Sequence, residues 1–385
     1  MKAVPALLAV VSLFLSISAS AQVRVGAVYS TSGPQAVLDQ PSWRGARTVV
    51  EQVNRGGGIG GKPVELILLP VDSTPAGAAA AVREGLKKYP DIVAFVGLSD
   101  TDLAVAAGRE AVAAGRPFVT PGATSPRLPT EVGRSVGRDR FFLACFGDNA
   151  QAAAAADWLV RAKRAESVAI FYDRTATYPR LLDRYFTSAF RRLGGVVTRR
   201  IGFRPGTVTL IPPAALKADA AYVAATSIEE ALPIIRSLHS MGFTGPIMGG
   251  DSFDVPWMWK DNPAGHNVFY TAHAFPAKAP GSASRRDVRA FEKMHARLYP
   301  GEKPDAFTGL GRDATLLLLT ALARGDADAA KTVQALRAAD PLAGLTGRIA
   351  YAHGSRVPEK PVAIISAAKP TEDLLQVVPP RVPKP

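Results

Sequence analysis

The stretch EQVNRGGGIGGKPVELILLP, residues 51–70, can be read in two ways that lead to different folds. Gly56, Gly61 and Lys62 stand at the spacing GxxxxGK that opens a phosphate-binding P-loop. That loop needs a serine or threonine hydroxyl directly after the lysine to hold Mg²⁺, and position 63 is proline. It also joins a strand to the start of a helix, whose free N–H groups meet the phosphates. Here the order is reversed. A helical pattern, Trp43–Asn54, runs into the glycines, and an apolar strand, PVELILLP (63–70), comes out. The glycines read as a helix end and turn, and the chain as alternating helix and strand.

The alternation extends outward in both directions. VRVGAVYS (23–30) precedes the first helix; Ala76–Lys88 is helical, DIVAFVG (91–97) is a buried strand, and Leu103–Ala114 is an alanine-rich helix. PFVTPGATS (117–125) is a strand that breaks into a polar loop. Near-continuous apolar strands between helices predict a parallel sheet covered on both faces. The pattern restarts after FFLACF (141–146), with helices Ala152–Arg164, Arg180–Leu193 and Glu229–Met241. The strands between them are SVAIFYD (167–173), GVVTRRI (195–201), DAAYVAAT (219–226) and PIMGG (246–250). NVFYTA (267–272), helices Asp287–Leu298 and Thr308–Arg324, and short strands near GRIAY (347–351) and PVAIIS (361–366) complete it. Two such series predict an α/β protein of two doubly wound, Rossmann-like lobes.

MKAVPALLAVVSLFLSISASAQ opens the chain with Lys2, an apolar run and Ala19-Ser20-Ala21, the layout of a cleavable secretory signal over residues 1–21. The expectation is an exported, soluble protein starting at Gln22. Cys145 is the single cysteine, so no intramolecular disulfide and no lipid-anchoring cysteine are expected, and a periplasm is the expected home. Its neighbours Phe142, Leu143 and Phe146 mark it as a buried residue, not a reactive thiol. The net charge of +13 raises the question of nucleic acid, but the basic residues are scattered without interleaved aromatics. A solvated basic surface is expected, with no nucleic-acid partner.

The histidines at 239, 266, 273, 295 and 353 form no HExxH, and neither a GxSxG elbow nor a CxxC pair occurs. No catalytic residue, metal site or cofactor is therefore expected, and the chain is not read as an enzyme.

SGP (32–34), VNRGGGIGGKPVEL (53–66), VGLSDTDLAVAA (96–107), PFVTPGATSPRL (117–128), FYDRTATYPRLL (171–182) and IMGGDSF (247–253) follow one another in a telling order. With FEKMHARLYPGEKPDAFTGLGRDA (291–314) and LTGRIAYAHG (345–354), the chain from Val23 to Ser366 resembles the branched-chain amino acid (Leu/Ile/Val)-binding proteins. These are periplasmic substrate-binding proteins of ABC importers. The resemblance implies a type I periplasmic-binding-protein fold with three crossovers and a ligand cleft between lobes. Lobe one would be 22–143 plus 274–345, and lobe two 144–273 plus 346–368, followed by a proline-rich tail, 369–385. It also implies a small-molecule ligand, an inner-membrane ABC permease as partner, and a monomer.

Carried over by position, the resemblance implies six ligand-binding residues. Thr101 matches a hydroxyl that takes the ligand carboxylate, though it also fits an ordinary helix N-cap. Gly122 and Thr124 match a loop that offers a carbonyl and a hydroxyl to the ammonium, or else form a polar turn. Tyr178 matches an aromatic cover. Asp251 matches the acid that pairs with the α-ammonium, or is a surface turn acid. Ser227 stands where a second covering aromatic is usual, and Phe307 either floors the pocket or belongs to the core. Asp100 and Asp102 flank Thr101 and would repel a carboxylate unless they point outward. Leu38 and Ser99 also depart from the family pattern, towards a wider or more polar pocket. An amide, a short peptide, or an aromatic or dicarboxylic acid is the alternative ligand, and sensing for a membrane receptor the alternative role.

Overall fold

The structure is a computed structural model that describes residues 22–136, 139–338, 340–352, 354–369 and 374–378. The predicted signal segment 1–21, His353 and the tail beyond Val378 lie outside the described residues.

The N-terminal half alternates strand and helix: β1 (Val23–Ser30), α1 (Ala36–Arg55), β2 (Val64–Val71), α2 (Pro75–Lys88), β3 (Ala94–Gly97), α3 (Thr101–Ala113), β4 (Phe118–Thr120), α4 (Leu128–Val136) and β5 (Phe141–Leu143). All pairings are parallel, in the order β2-β1-β3-β4-β5. The chain reverses its winding between β1 and β3, the point at which open α/β sheets leave a crevice for a ligand. The second lobe starts with α5 (Asp148–Lys163), β6 (Ser167–Asp173), α6 (Thr177–Arg192) and β7 (Val196–Phe203). It continues through β8 (Ala220–Ala224), α7 (Ile228–Ser240), β9 (Ile247–Gly249), α8 (Pro256–Trp259) and β10 (Val268–His273). These strands repeat the same winding, with the reversal between β6 and β8.

The chain then returns to lobe one as α9 (Arg285–Leu298), α10 (Ala306–Arg324), α11 (Ala329–Arg337) and the hairpin β11 (Leu342–Gly344) and β12 (Gly347–Ile349). It ends in lobe two with β13 (Val362–Ser366) and β14 (Leu374–Val378). Both final strands pair antiparallel, so the second sheet is mixed at that edge. Among the described residues α10 alone is long and apolar enough to cross a membrane, but it is a buried core helix.

The glycine run behaves as its position after a helix predicts. Gly56 caps α1, and Ile59 pairs with Lys62 across a tight turn. Gly58 has φ +72°, and a Cβ there would stand 2.0 Å from the Lys62 carbonyl oxygen. Asn54 ties the turn shut by bonding both the N–H and the C=O of Val64.

Three differences from the sequence reading concern boundaries. Helix α1 starts at Ala36 instead of Trp43 and runs through Pro41, because its first turn is held by tertiary contacts. Asp39, fully buried, accepts the Ser30 N–H at 2.8 Å, and Leu38 is part of the core. The third crossover falls after β12 and not at 345/346, since Ile349 packs into the lobe-one core and Tyr351 donates to the Leu143 carbonyl at 2.7 Å. The region taken as tail contributes β14, whose residue Val378 packs with Val362 and Phe146. At the same crossover the buried Lys360 donates to the Ala144 carbonyl (3.0 Å) and to the Thr346 hydroxyl (2.6 Å).

Helices α1 and α10 cross at very short range. A Cβ on Gly45 would lie 1.9 Å from the Thr308 carbonyl oxygen, and one on Gly311 would lie 1.9 Å from that of Ser42. Only glycine permits this approach. Leu38 of α1 and Phe307 of α10 both lie at the end of lobe one that faces lobe two.

Candidate functional site

The loops that follow β1, β3 and β4 meet those that follow β6, β8 and β9 around one narrow cleft. Lobe one supplies Gln35 and Leu38 from the start of α1, Ser99–Thr101 from the β3–α3 turn, Gly122 and Thr124 after β4, and Phe307 from α10. Lobe two supplies Tyr178, Thr226, Asp251 and Ser252.

The β3–α3 turn is shaped by Leu98, whose φ of +61° is rare for a bulky side chain. Its N–H donates to the Val28 carbonyl, and its own carbonyl accepts the Thr120 hydroxyl at 2.6 Å. The bend aims the next three residues into the cleft. Asp100 is the N-cap of α3, and its carboxylate accepts the Leu103 N–H at 2.9 Å. Thr101 is therefore not the cap. It is the first helical residue, 1% exposed, and its hydroxyl has no protein partner. Burial, with the charges of Asp102 and Asp39 adding to it, pushes Asp100 up to about 6. Asp102 turns the other way and crosses to lobe two, where its carboxylate accepts the N–H of Thr177 at 3.1 Å. That N–H opens α6, whose N-cap, Ala176, has no side-chain acceptor of its own.

Asp251, 4% exposed, is the centre of the lobe-two wall. It accepts from the Tyr178 hydroxyl at 2.8 Å, the Gln151 amide at 2.9 Å and His273 Nε2 at 3.3 Å. Burial lowers the His273 pKa, so the ring is neutral and Nε2–H is the donor. Gln151 is itself fixed by the Thr271 hydroxyl (2.7 Å) and the Asp251 N–H (3.2 Å) on its carbonyl oxygen. Its amide also donates to Asp148 at 3.0 Å. Burial pushes Asp148 up to about 8; the Asp251 charge adds to the rise and bonds from Thr124 and Gln151 oppose it. Asp148 is thus mostly protonated at neutral pH.

The structure brings Thr101, Gly122, Thr124, Tyr178 and Asp251 to the cleft wall. Ser227 is not there. Its hydroxyl caps α7 by accepting the Glu230 N–H at 3.4 Å, and the preceding residue, Thr226, faces the cleft. Phe307 fills both predicted roles, lining the cleft while its ring packs edge-on to His273. Sequence reasoning missed Gln151 and His273 as supports. They follow no motif and stand 100 and 22 residues from Asp251. Cys145 is buried against the Ala123 carbonyl, and burial raises its pKa. Among the described residues that line the cleft, the charged side chains are Asp100 and Asp251, with no Lys, Arg or His.

Two α/β lobes with a small, polar, largely buried cleft at the strand ends define a receptor that encloses a solute. A profile of the periplasmic binding protein family matches residues 22–370, and the chain belongs to that family. It is 27% identical over 346 residues to the Leu/Ile/Val-binding protein homolog 3 of Brucella melitensis, covering 87% of this chain and 88% of that one. Among solved structures, the leucine-binding protein LivK of Thermotoga maritima superposes with a TM-score of 0.81 at 27% identity, covering 93% of this chain and 99% of that one. The substrate-binding protein LivJ of Streptococcus pneumoniae, in complex with isoleucine, superposes at 0.79 with 22% identity, covering 94% and 100%. The fold class expected from the sequence is the one found, in a family of binding proteins and not of enzymes.

Proposed function

We propose that this chain is the solute-binding component of an ABC importer, which captures a small amino acid-like ligand and presents it to an inner-membrane permease. One observation carries the ligand class. A buried carboxylate, Asp251, is fixed by three donors in a cleft wall with no cation beside it. Such an acid pairs with an ammonium, because a buried charge left unpaired costs about 3–5 kcal/mol. The names of the relatives, leucine- and Leu/Ile/Val-binding proteins, agree with an amine-bearing ligand. Lobe closure couples to binding only through contacts that are stronger in the closed state. Here they are supplied by walls on different lobes, Thr101 on one and Asp251 with Tyr178 on the other. The residues assigned to the ligand are Thr101, Gly122, Thr124, Tyr178 and Asp251, with Thr226 in place of Ser227.

The test uses protein that starts at Gln22, unfolded and refolded to strip any carried ligand, and melted against a panel of amine-bearing solutes. A true ligand at a hundredfold excess over its Kd adds about 2.7 kcal/mol of stability. Asp251→Asn is expected to abolish the shift. An unchanged shift in that variant, or silence across all amines, defeats the reading. We further propose export through cleavage after Ala21, so that mass spectrometry of periplasmic protein finds Gln22 first; a retained Met1 refutes it.

A further inference from the structure

The lobe-one end of the cleft is furnished for something other than a carboxylate. The start of a helix, with its free N–H groups, is a natural anion seat, and α3 starts at the cleft. In this chain the seat is already taken. The Asp100 carboxylate occupies it, accepting the Leu103 N–H at 2.9 Å. A carboxylate brought by a ligand would meet that acid, and the described cleft-lining residues include no Lys, Arg or His to separate the two charges. Beside Asp100 is the Thr101 hydroxyl, in a residue 1% exposed and without a protein partner. The two together offer one strong acceptor and one free hydroxyl.

We infer that the ligand, taken as the amine-bearing solute proposed above, presents a carboxamide instead of a carboxylate to Asp100 and Thr101. A carboxamide satisfies both groups: its NH₂ donates to Asp100 and its C=O accepts from Thr101. A carboxylate has only acceptors, so it can use Thr101 but confronts Asp100. A second ammonium would satisfy Asp100 and leave Thr101 to act only as an acceptor. The chemistry common to the carboxamide and the ammonium is a donor at the Asp100 position. The inference rests on the ammonium site at Asp251 and adds the opposite end of the ligand. Asp100 is thereby a specificity-determining residue that selects an amino acid amide over the parent amino acid.

The experiment is calorimetric titration at pH 7.5 with matched sets of L-amino acids, their α-carboxamides, and the diamines carrying CH₂NH₃⁺ in place of the carboxylate. The proteins are the refolded wild type, Asp100→Asn, Asp100→Ser and Asp251→Asn. Asn and Ser both serve as N-caps, so each variant keeps an acceptor for Leu103 N–H while losing the charge. The wild type is expected to bind the carboxamide at least tenfold more tightly than the acid. Both Asp100 variants should cut that ratio to twofold or less, or reverse it. Asp251→Asn should weaken every amine at least a hundredfold. Tighter wild-type binding of the acid, or an unchanged ratio in both Asp100 variants, overturns the inference; if Asp251→Asn still abolishes binding, the amine reading survives. Tighter binding of the diamine replaces the carboxamide with a second cation and overturns the assignment. Wild type that binds no member of any set defeats the amine reading, and the inference with it.

Discussion

The two walls of the cleft are built on different terms. On the lobe-two side, Asp251 is fixed by Tyr178, Gln151 and His273, and Gln151 is itself braced by Thr271. On the lobe-one side, Thr101 is 1% exposed, yet its hydroxyl has no protein partner. In the proposed reading, one wall is fixed in position before a ligand arrives, and the other has a hydroxyl that the ligand would satisfy. A pre-fixed acid loses little freedom on binding, which favours affinity. An unsatisfied hydroxyl gives the closed state a contact that the open state lacks, which favours closure.

The largest expected effect breaks the completed wall. Asp251→Asn should lower affinity for an amine-bearing ligand about a hundredfold or more, from the roughly 3 kcal/mol that unpairing a buried ammonium costs. Isothermal titration reads it, and a loss under threefold would mean that the lobe-two wall does not hold the cation. The next effect concerns stability. Burial pushes the Asp148 carboxyl from the ordinary carboxylate range, about 4, up to about 8. Its folded form holds the proton more tightly, so its contribution to stability is full below about pH 4 and is lost as pH rises through about 8. Asp148→Asn should therefore gain on the order of a few kcal/mol relative to wild type at pH 8.5, and little at pH 4. Urea melts at the two values decide it; an equal difference at both would mean that the acid is not held neutral.

The unfinished wall predicts smaller changes. Thr101→Val should weaken binding by about fivefold, roughly 1 kcal/mol, while the melting temperature of the ligand-free protein stays put. A drop in that temperature would show that the hydroxyl serves the fold and not the ligand. The smallest effect is at the bond between the walls. Asp102→Ala removes the acceptor for Thr177 N–H, a half-exposed cap worth about 1 kcal/mol or less. Affinity should fall twofold to threefold, and solution scattering of the ligand-free protein should show a larger radius. An unchanged radius would leave the bond without a role in closure.

Much of this fold is legible in the sequence, because its strands are short apolar runs and its helices carry clear spacing. The strand VRVGAVYS coincides with β1, and SVAIFYD with β6. What escaped has local causes. Helix α4 contains Pro129 and Gly133, which mask it as a loop, and β14 sits in a proline-rich segment that reads as tail. The site was legible where a residue lies in a loop that follows a strand. At 227 the reading slipped by one residue, because a serine before Glu229 and Glu230 is a helix cap first. Gln151 and His273 were not legible at all. Their role depends on the closeness of α5, β9 and β10, which no spacing along the chain encodes.

The close crossing of α1 and α10 has a consequence for anyone who would re-aim this receptor. Backbone touches backbone at Gly45 and Gly311, so the spacing of the helices there is set by main chain and not by a side chain that could be trimmed. A single added carbon would part the helices and shift Leu38 and Phe307 together, distorting the cleft instead of resizing it. That floor is a fixed datum. Changes in ligand size have to be written into the opposite wall, at Tyr178, Thr226 and Ser252, where side chains and not main chain set the boundary.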